Sequence, residues 1–194
     1  MEVLDTGAMY RAVTLAALEQ GIDPDDGDGC ARVARDAELE VSDRVLLQGR
    51  DVSSAIRGPE VTAAVSRVSA HPQVRDVLVA LQRAWVDARG GGVVEGRDIG
   101  TVVFPDAAVK VFLTASDDER ARRRQQDEHA AERAVDVDAV KEELERRDRQ
   151  DAARAVSPMR PADDAIIVDT TKRAVEDVVA DIVERFTVAT AEMA

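Results

Sequence analysis

Two kinds of apolar pattern alternate along the chain. Short compact runs occur at Val3-Leu4, Val93-Val94, Val109–Thr114 and Ala165–Asp169. Their length and Val/Ile content suit strands buried in a sheet. Between them, apolar residues recur every three or four positions, which predicts helices over Ala8–Gln20, around Cys30–Ala37, over Glu60–Ala70 and over Gln73–Arg89. Pro59 and Pro72 stand where first-turn prolines belong. Thr6 is placed to cap the first helix and Gly21 to end it. In the fourth helix Val74, Val77, Leu78, Leu81 and Trp85 share a face, so Trp85 reads as core. Two charged helices follow the third run. The first opens on a Ser116/Glu119 capping box, and the second covers Asp138–Ala153. Thr171 is a candidate cap for a last helix whose Val175, Val178, Val179, Ile182, Val183 and Phe186 form an apolar stripe. Strands alternating with helices predict an α/β fold with a parallel sheet. Leu39–Val41 and Arg44–Leu47 alternate in period two around tight turns, and read as a small antiparallel lobe outside that sheet.

The second run continues into Gly92-Val93-Val94-Glu95-Gly96-Arg97-Asp98-Ile99-Gly100-Thr101. A strand that ends in glycines and three charges is what an open α/β sheet presents at its ligand-binding edge. A loop with a local ion pair explains the same residues.

Composition narrows the choice. The 194 residues are 45% hydrophobic and 34% charged, enough for one domain with a real core. A net charge of −13 argues against non-specific nucleic-acid binding, which needs a basic face. Cys30 is the one cysteine, and His71 and His129 have no ligand-spaced partner, so neither a disulfide framework nor a histidine metal site is expected. No run approaches a membrane span or a signal peptide, and the expected compartment is the cytoplasm. Of 26 basic residues only Lys110, Lys141 and Lys172 are lysine. Four arginine-bearing places line up at strand ends or on polar helices: Arg11, Arg97, the Arg120/Arg122/Arg123/Arg124 run, and Arg147 with Arg154. Solvated helix faces with i,i+4 partners account for the later runs. Arginines converging on a strand-end cleft would instead suit phosphates, whose transfer asks a protein mainly for positioning and charge cancellation.

Asp5-Thr6-Gly7-Ala8-Met9-Tyr10-Arg11, Glu95-Gly96-Arg97-Asp98-Ile99-Gly100-Thr101 with Phe104-Pro105-Asp106-Ala107, and Arg154-Ala155-Val156-Ser157-Pro158 resemble the motifs of bacterial cytidylate kinases, in order and spacing. The resemblance runs from Leu4 to the final helix. It implies a P-loop nucleoside monophosphate kinase-like parallel sheet flanked by helices, in a single domain. It also implies a small nucleotide-binding insert at about residues 36–60 and a lid at about residues 120–154. The activity it implies is phosphoryl transfer from ATP to CMP or dCMP, with Mg2+, in a monomer without nucleic-acid or membrane partners.

Carried over residue by residue, Thr6 lines the monophosphate pocket, and Arg11, Arg97 and Arg154 hold the CMP phosphate. Ser66, Arg75 and Asp98 read the cytosine edge, while Arg147 and Asp151 lie near the phosphate and sugar. Arg123 and Arg124 belong to the lid, and Glu95 sits near the water shell of Mg2+. Thr170 and Thr171 flank the adenine, although helix capping explains Thr171 equally well. The sequence departs from the family in one respect: it contains no G-x-x-x-x-G-K-[ST] phosphate loop. The first and central strand, that loop and the first helix are therefore expected to be missing, roughly 25 residues at typical element lengths. Impaired transfer is the corresponding expectation, and a non-catalytic homologue that binds CMP or another partner is the alternative.

Overall fold

The protein is described here by a computed structural model covering residues 1–130, 137–153 and 157–191; the side chains of residues 127–130, 137, 139, 143 and 147 lie outside the description. Met1–Ile99 fall in one compact unit, and Gly100–Ala153 with the residues from Pro158 onward in a second.

The first unit is built around the parallel pairing of β1 (Val3–Asp5) with β5 (Val93–Glu95), in the register Val3↔Val93, Leu4↔Val94, Asp5↔Glu95. Helix α1 (Thr6–Glu19) leaves β1 without a linker, because Asp5 ends the strand and caps the helix at once. Its carboxylate accepts from the Ala8 N–H at 2.9 Å. The cap is thus Asp5 and not Thr6; Thr6 sits inside the first turn, where its hydroxyl is available for other partners. Gly21 ends the helix as expected, at a φ of 70° that a residue with a β-carbon rarely adopts. Ala12, Val13, Ala16 and Ala17 are fully or almost fully buried along α1, and such small side chains let neighbours approach its backbone closely.

Those neighbours are α2 (Gly27–Asp36), α3 (Pro59–Val68), α4 (Pro72–Asp87) and a three-stranded antiparallel sheet. The sheet comprises β2 (Leu39–Val41), β3 (Val45–Leu47) and β4 (Arg50–Asp51), in the order β2-β3-β4. Gln48 and Gly49, at φ values of 50° and 74°, make the two-residue turn between β3 and β4. Val41, Val45 and Leu47 face the shared core, so the small lobe is anchored by one apolar face. A short 3-10 turn, Ala55–Arg57, returns the chain to α3.

The second unit holds the parallel pair β6 (Val111–Thr114) and β7 (Ile166–Asp169), in register from Val111↔Ile166 to Thr114↔Asp169. It also holds the charged helices α5 (Asp117–Ala130) and α6 (Val137–Ala152), and α7 (Val175–Ala191). The two charged helices lie together through buried Ala121 and through ion pairs of Arg120 with Asp148 and of Lys141 with Asp118. No described helix is long and apolar enough to cross a membrane.

Two expectations about cover are corrected. Val93 was expected to be enclosed on both faces of its strand, yet it is 49% exposed, and Val3 beside it is 55% exposed. On α7 the apolar stripe is real, but Val175, Val179 and Val183 stand in solvent, and no described residue of the helix is buried. Periodicity reports which face of an element is apolar; it does not report whether the described residues supply a partner for it.

The core of the first unit makes a quantitative prediction. Leu78 is fully buried on α4, so Leu78→Ala should cost roughly 2–5 kcal/mol, the range for a large-to-small change that leaves a cavity. Urea unfolding followed by circular dichroism would measure it; a loss under about 1 kcal/mol would show that the site collapses freely.

Candidate functional site

The carboxyl ends of β1 and β5 bring together residues about ninety positions apart. The Thr6 hydroxyl donates to the Glu95 carbonyl oxygen at 2.7 Å, tying the start of α1 to the end of β5. This closeness explains Gly96: a β-carbon there would collide with Thr6 Oγ1 and with the Ile99 side chain. The strand register sets Asp5 beside Glu95. The Glu95 carboxyl is pushed above its ordinary value, first by partial loss of hydration at the strand end, where the residue is still exposed, and then by the Asp5 charge; Arg57 acts in the opposite sense.

One turn further along α1, Arg11 is buried. Its Nη1 donates to the Ile56 carbonyl at 3.1 Å and to Thr62 Oγ1 at 3.0 Å, so the 3-10 turn and α3 fix its guanidinium. Deeper in the unit, Arg75 and Asp98 form an ion pair in which both side chains are almost fully enclosed. Arg75 Nη1 also donates to the Ser69 carbonyl at 3.3 Å, and the guanidinium lies 5.4 Å from the centroid of the Tyr10 ring. Burying a charge pair is costly unless its geometry and hydrogen bonds are good. Here a carboxylate, a carbonyl and an aromatic ring all hold one arginine. Ser66 lies half-buried on α3, its carbonyl accepting from the Ser69 hydroxyl at 3.3 Å. Arg97 is half-buried beside Asp98 in the chain.

Thr6 with Glu95, Arg11, and Arg75 with Asp98 thus all lie in the first unit. Two further residues of this unit have no role assigned by the motifs. Tyr10 reads as an ordinary core residue of α1, and only its contact with Arg75 distinguishes it. Arg57 carries no local signal at all, because its proximity to Glu95 depends on how the small lobe rejoins α3.

In the second unit the ends of β6 and β7 carry the other cluster. Arg123 donates through Nη1 to Thr170 Oγ1 at 3.0 Å, and through Nη2 to the Thr170 carbonyl at 2.8 Å. The Thr170 hydroxyl in turn donates to the Thr114 carbonyl at 2.9 Å. Thr171 does not cap the last helix, which begins only at Val175. Its hydroxyl accepts from the Ser116 N–H at 2.9 Å and so ties the end of β7 to the entry of α5. The Ser116 hydroxyl accepts from the Glu119 N–H at 3.3 Å, the first half of the expected capping box. Glu119 is held at about 2 by its bonds to Arg122 and then to Arg123. Arg120 and Arg122 are engaged in pairs with Asp117, Asp148 and Glu119, as the reading of charged helix faces anticipated. Arg124 is half-buried on α5 and Asp151 is buried near the end of α6. Arg154 lies outside the described residues, as does the side chain of Arg147.

Parallel strands whose carboxyl ends collect arginines, carboxylates and threonine hydroxyls are the arrangement of an α/β ligand-binding protein. The chain belongs to the cytidylate kinase family: the family model described as cytidylate kinase matches residues 1–188. It is similar to the cytidylate kinase of Mycobacterium avium (strain 104), with 56% identity over 173 residues, covering 87% of this chain and 76% of that protein. Against the cytidylate kinase of Corynebacterium efficiens the identity is 51% over 186 residues, 93% of this chain and 81% of the relative. A bifunctional pantoate ligase/cytidylate kinase of Synechococcus sp. is 49% identical over 175 residues, 86% of this chain and 32% of that longer protein.

Two outcomes follow from the first unit's charges. Arg75→Ala should destabilise the protein by about 3–5 kcal/mol, because it leaves the Asp98 carboxylate buried without its guanidinium. Replacing both residues by apolar ones should cost less, and a denaturant double-mutant cycle would measure the difference. Glu95 gives a pH signature. Its folded value lies above the ordinary 4.5, so the folded state binds this proton more tightly than the unfolded chain does. The associated stability is fully present below 4.5 and is lost as pH rises through the raised folded value. Glu95→Gln should flatten the stability–pH curve across that window, as read by thermal unfolding at a series of pH values.

Proposed function

We propose that the protein is a nucleoside monophosphate kinase that transfers the γ-phosphate of ATP to CMP or dCMP, giving CDP or dCDP. The observation that carries this reading is the enclosed Arg75–Asp98 pair on the same unit as fixed Arg11. A pyrimidine edge with adjacent donor and acceptor groups calls for a carboxylate and a guanidinium side by side, and a monophosphate calls for arginine. Ser66, Arg75 and Asp98 read the cytosine in this scheme. Thr6, Arg11, Arg97 and Arg154 receive the phosphate and its pocket, and Arg147 and Asp151 address phosphate and sugar. Arg123 and Arg124 close over the transferring phosphates and exclude water, and Thr170 and Thr171 flank the adenine. The residue range 36–60 serves as the nucleotide-binding insert and 120–154 as the lid. Names borne by the relatives support the substrate class, since each is called a cytidylate kinase in whole or in part.

Mg2+ fits this site as a companion of ATP. Glu95 faces Asp5 across the strand pair with an excess of negative charge, while no group of three acidic, His or Cys ligands gathers among the described residues. Mg2+ is commonly held by one or two carboxylates together with substrate phosphates and water, and Glu95 would contribute through that water shell. The ion supplies charge neutralisation on the phosphates when bound.

The donor half of the reaction depends on a G-x-x-x-x-G-K-[ST] loop, which the sequence does not contain. The chain by itself is therefore expected to bind CMP and to transfer phosphate poorly. That absent loop also favours a second reading, a homologue that holds CMP without turning it over. Titration calorimetry with CMP, UMP and AMP separates the claims. CMP should bind in clear preference to UMP and AMP, and Arg97→Ala should weaken CMP by roughly tenfold or more, the scale of one charge-assisted phosphate contact. Equal affinity for the three nucleotides would overturn the cytosine assignment. Rapid ATP-dependent CDP formation by this chain alone would overturn the assignment of the donor loop.

A further inference from the structure

We infer that Thr62 is a positioning residue for the acceptor phosphate, acting through Arg11. The inference rests on the kinase reading above and deepens it by naming what aims one of its arginines. A long arginine side chain has many rotamers, and its value as a phosphate ligand depends on how few remain before the ligand arrives. Arg11 is buried, and its Nη1 meets two acceptors at once: the Ile56 carbonyl at 3.1 Å and Thr62 Oγ1 at 3.0 Å. Two acceptors on one nitrogen fix both the position of the guanidinium and the direction of its plane, because its five N–H bonds form a rigid fork.

The two acceptors come from different places. Ile56 belongs to the 3-10 turn through which the small antiparallel lobe rejoins the helical body, and its side chain is almost fully buried. Thr62 lies half-buried in the first turns of α3, four residues after the Gly58 that precedes the helix. The Gly58 carbonyl accepts from the Thr62 N–H at 3.0 Å, so the backbone that carries this hydroxyl is held by the helix start. One hydroxyl thereby couples the helix that follows the small lobe to an arginine of the phosphate site. Nothing in the sequence pattern marks Thr62. It is a polar residue near a helix start, and only the path of the small lobe brings it to Arg11.

The test compares Thr62→Val, which keeps shape and removes the hydroxyl, with Thr62→Ser, which keeps the hydroxyl. Binding of CMP and of cytidine is measured by calorimetry for each form. Thr62→Val should weaken CMP by about tenfold, as expected for a hydrogen bond to a charged group, and leave cytidine unchanged. Thr62→Ser should restore most of the CMP affinity. Equal weakening of CMP and cytidine would assign Thr62 a merely structural role, and an unchanged CMP affinity in Thr62→Val would overturn the inference. A nucleotide-free readout keeps the two levels apart. NMR of the Arg11 guanidinium should show restricted rotation about Nε–Cζ in the wild type and faster rotation in Thr62→Val. If the wild type binds no CMP, the kinase reading fails. The Arg11 signal then decides the tether alone, and rotation unaffected by Thr62→Val overturns it.

Discussion

The parallel register of β1 with β5 is the constraint on which the first unit depends. It sets Asp5 opposite Glu95 and lets the Thr6 hydroxyl reach the Glu95 carbonyl. A slip of one residue would send every side chain of β1 to the opposite face. It would also bury the Asp5 carboxylate that now caps α1, and turn Leu4 out of the core in which it is fully enclosed. Apolar burial and polar capping therefore select the same register. That agreement between levels is what lets a strand pair of three residues hold charged groups at its end.

From that register the site is assembled by short-range geometry. Because α1 leaves β1 directly, Arg11 lies about one and a half helical turns from the strand end. Because Gly96 has no side chain, β5 can turn away beneath Thr6 and deliver Asp98 to Arg75. Two glycines after β5 meet different constraints. Gly96 is required by close approach to Thr6, whereas a β-carbon at Gly100 would merely crowd the flexible Lys110 side chain. Charge is handled by pairing at each step. Arg75 is balanced by Asp98 where burial is nearly complete, and the exposed arginines of α5 are balanced by carboxylates three or four residues away. Only the former pairing carries a large energetic penalty if one partner is removed.

How far this was legible in the sequence varies with the range of the interaction. Elements with strong periodicity and local punctuation were read within a residue or two, as with the helix opened by Pro72 and the helix ended by Gly21. The places of Thr6 and Arg11 in the fold follow from the strand–helix junction at Asp5, and that of Asp98 from the bend after β5. The N-cap was misassigned because Asp and Thr are both good caps, and the choice between them rests on where β1 stops. The capping reading of Thr171 fails for a related reason: its hydroxyl goes to the Ser116 N–H, fifty-five positions away, and no local pattern reports that. Tyr10, Arg57 and Thr62 escaped notice because their significance lies wholly in residues brought near by the small lobe and α4.

The apolar surfaces left open carry the remaining physical tension. Among the described residues each parallel sheet has two strands, and strand pairs of this size are marginal without further strands or a covering face. Val3 and Val93 on one pair, and Leu113 and Ile167 on the other, are all about half exposed or more. Edge N–H and C=O groups on such strands invite pairing with another strand, which proteins ordinarily block with charge, bulges or cover. In the first unit the helices around α1 supply a core independent of the sheet, with Leu78, Val74 and Val13 fully enclosed. In the second, the described strands and α7 have no comparable cluster, and Val103, Ala121 and Val168 are its buried apolar residues among those described. Stability should therefore be uneven along the chain, with Thr6, Arg11, Arg75 and Asp98 on the better-packed side.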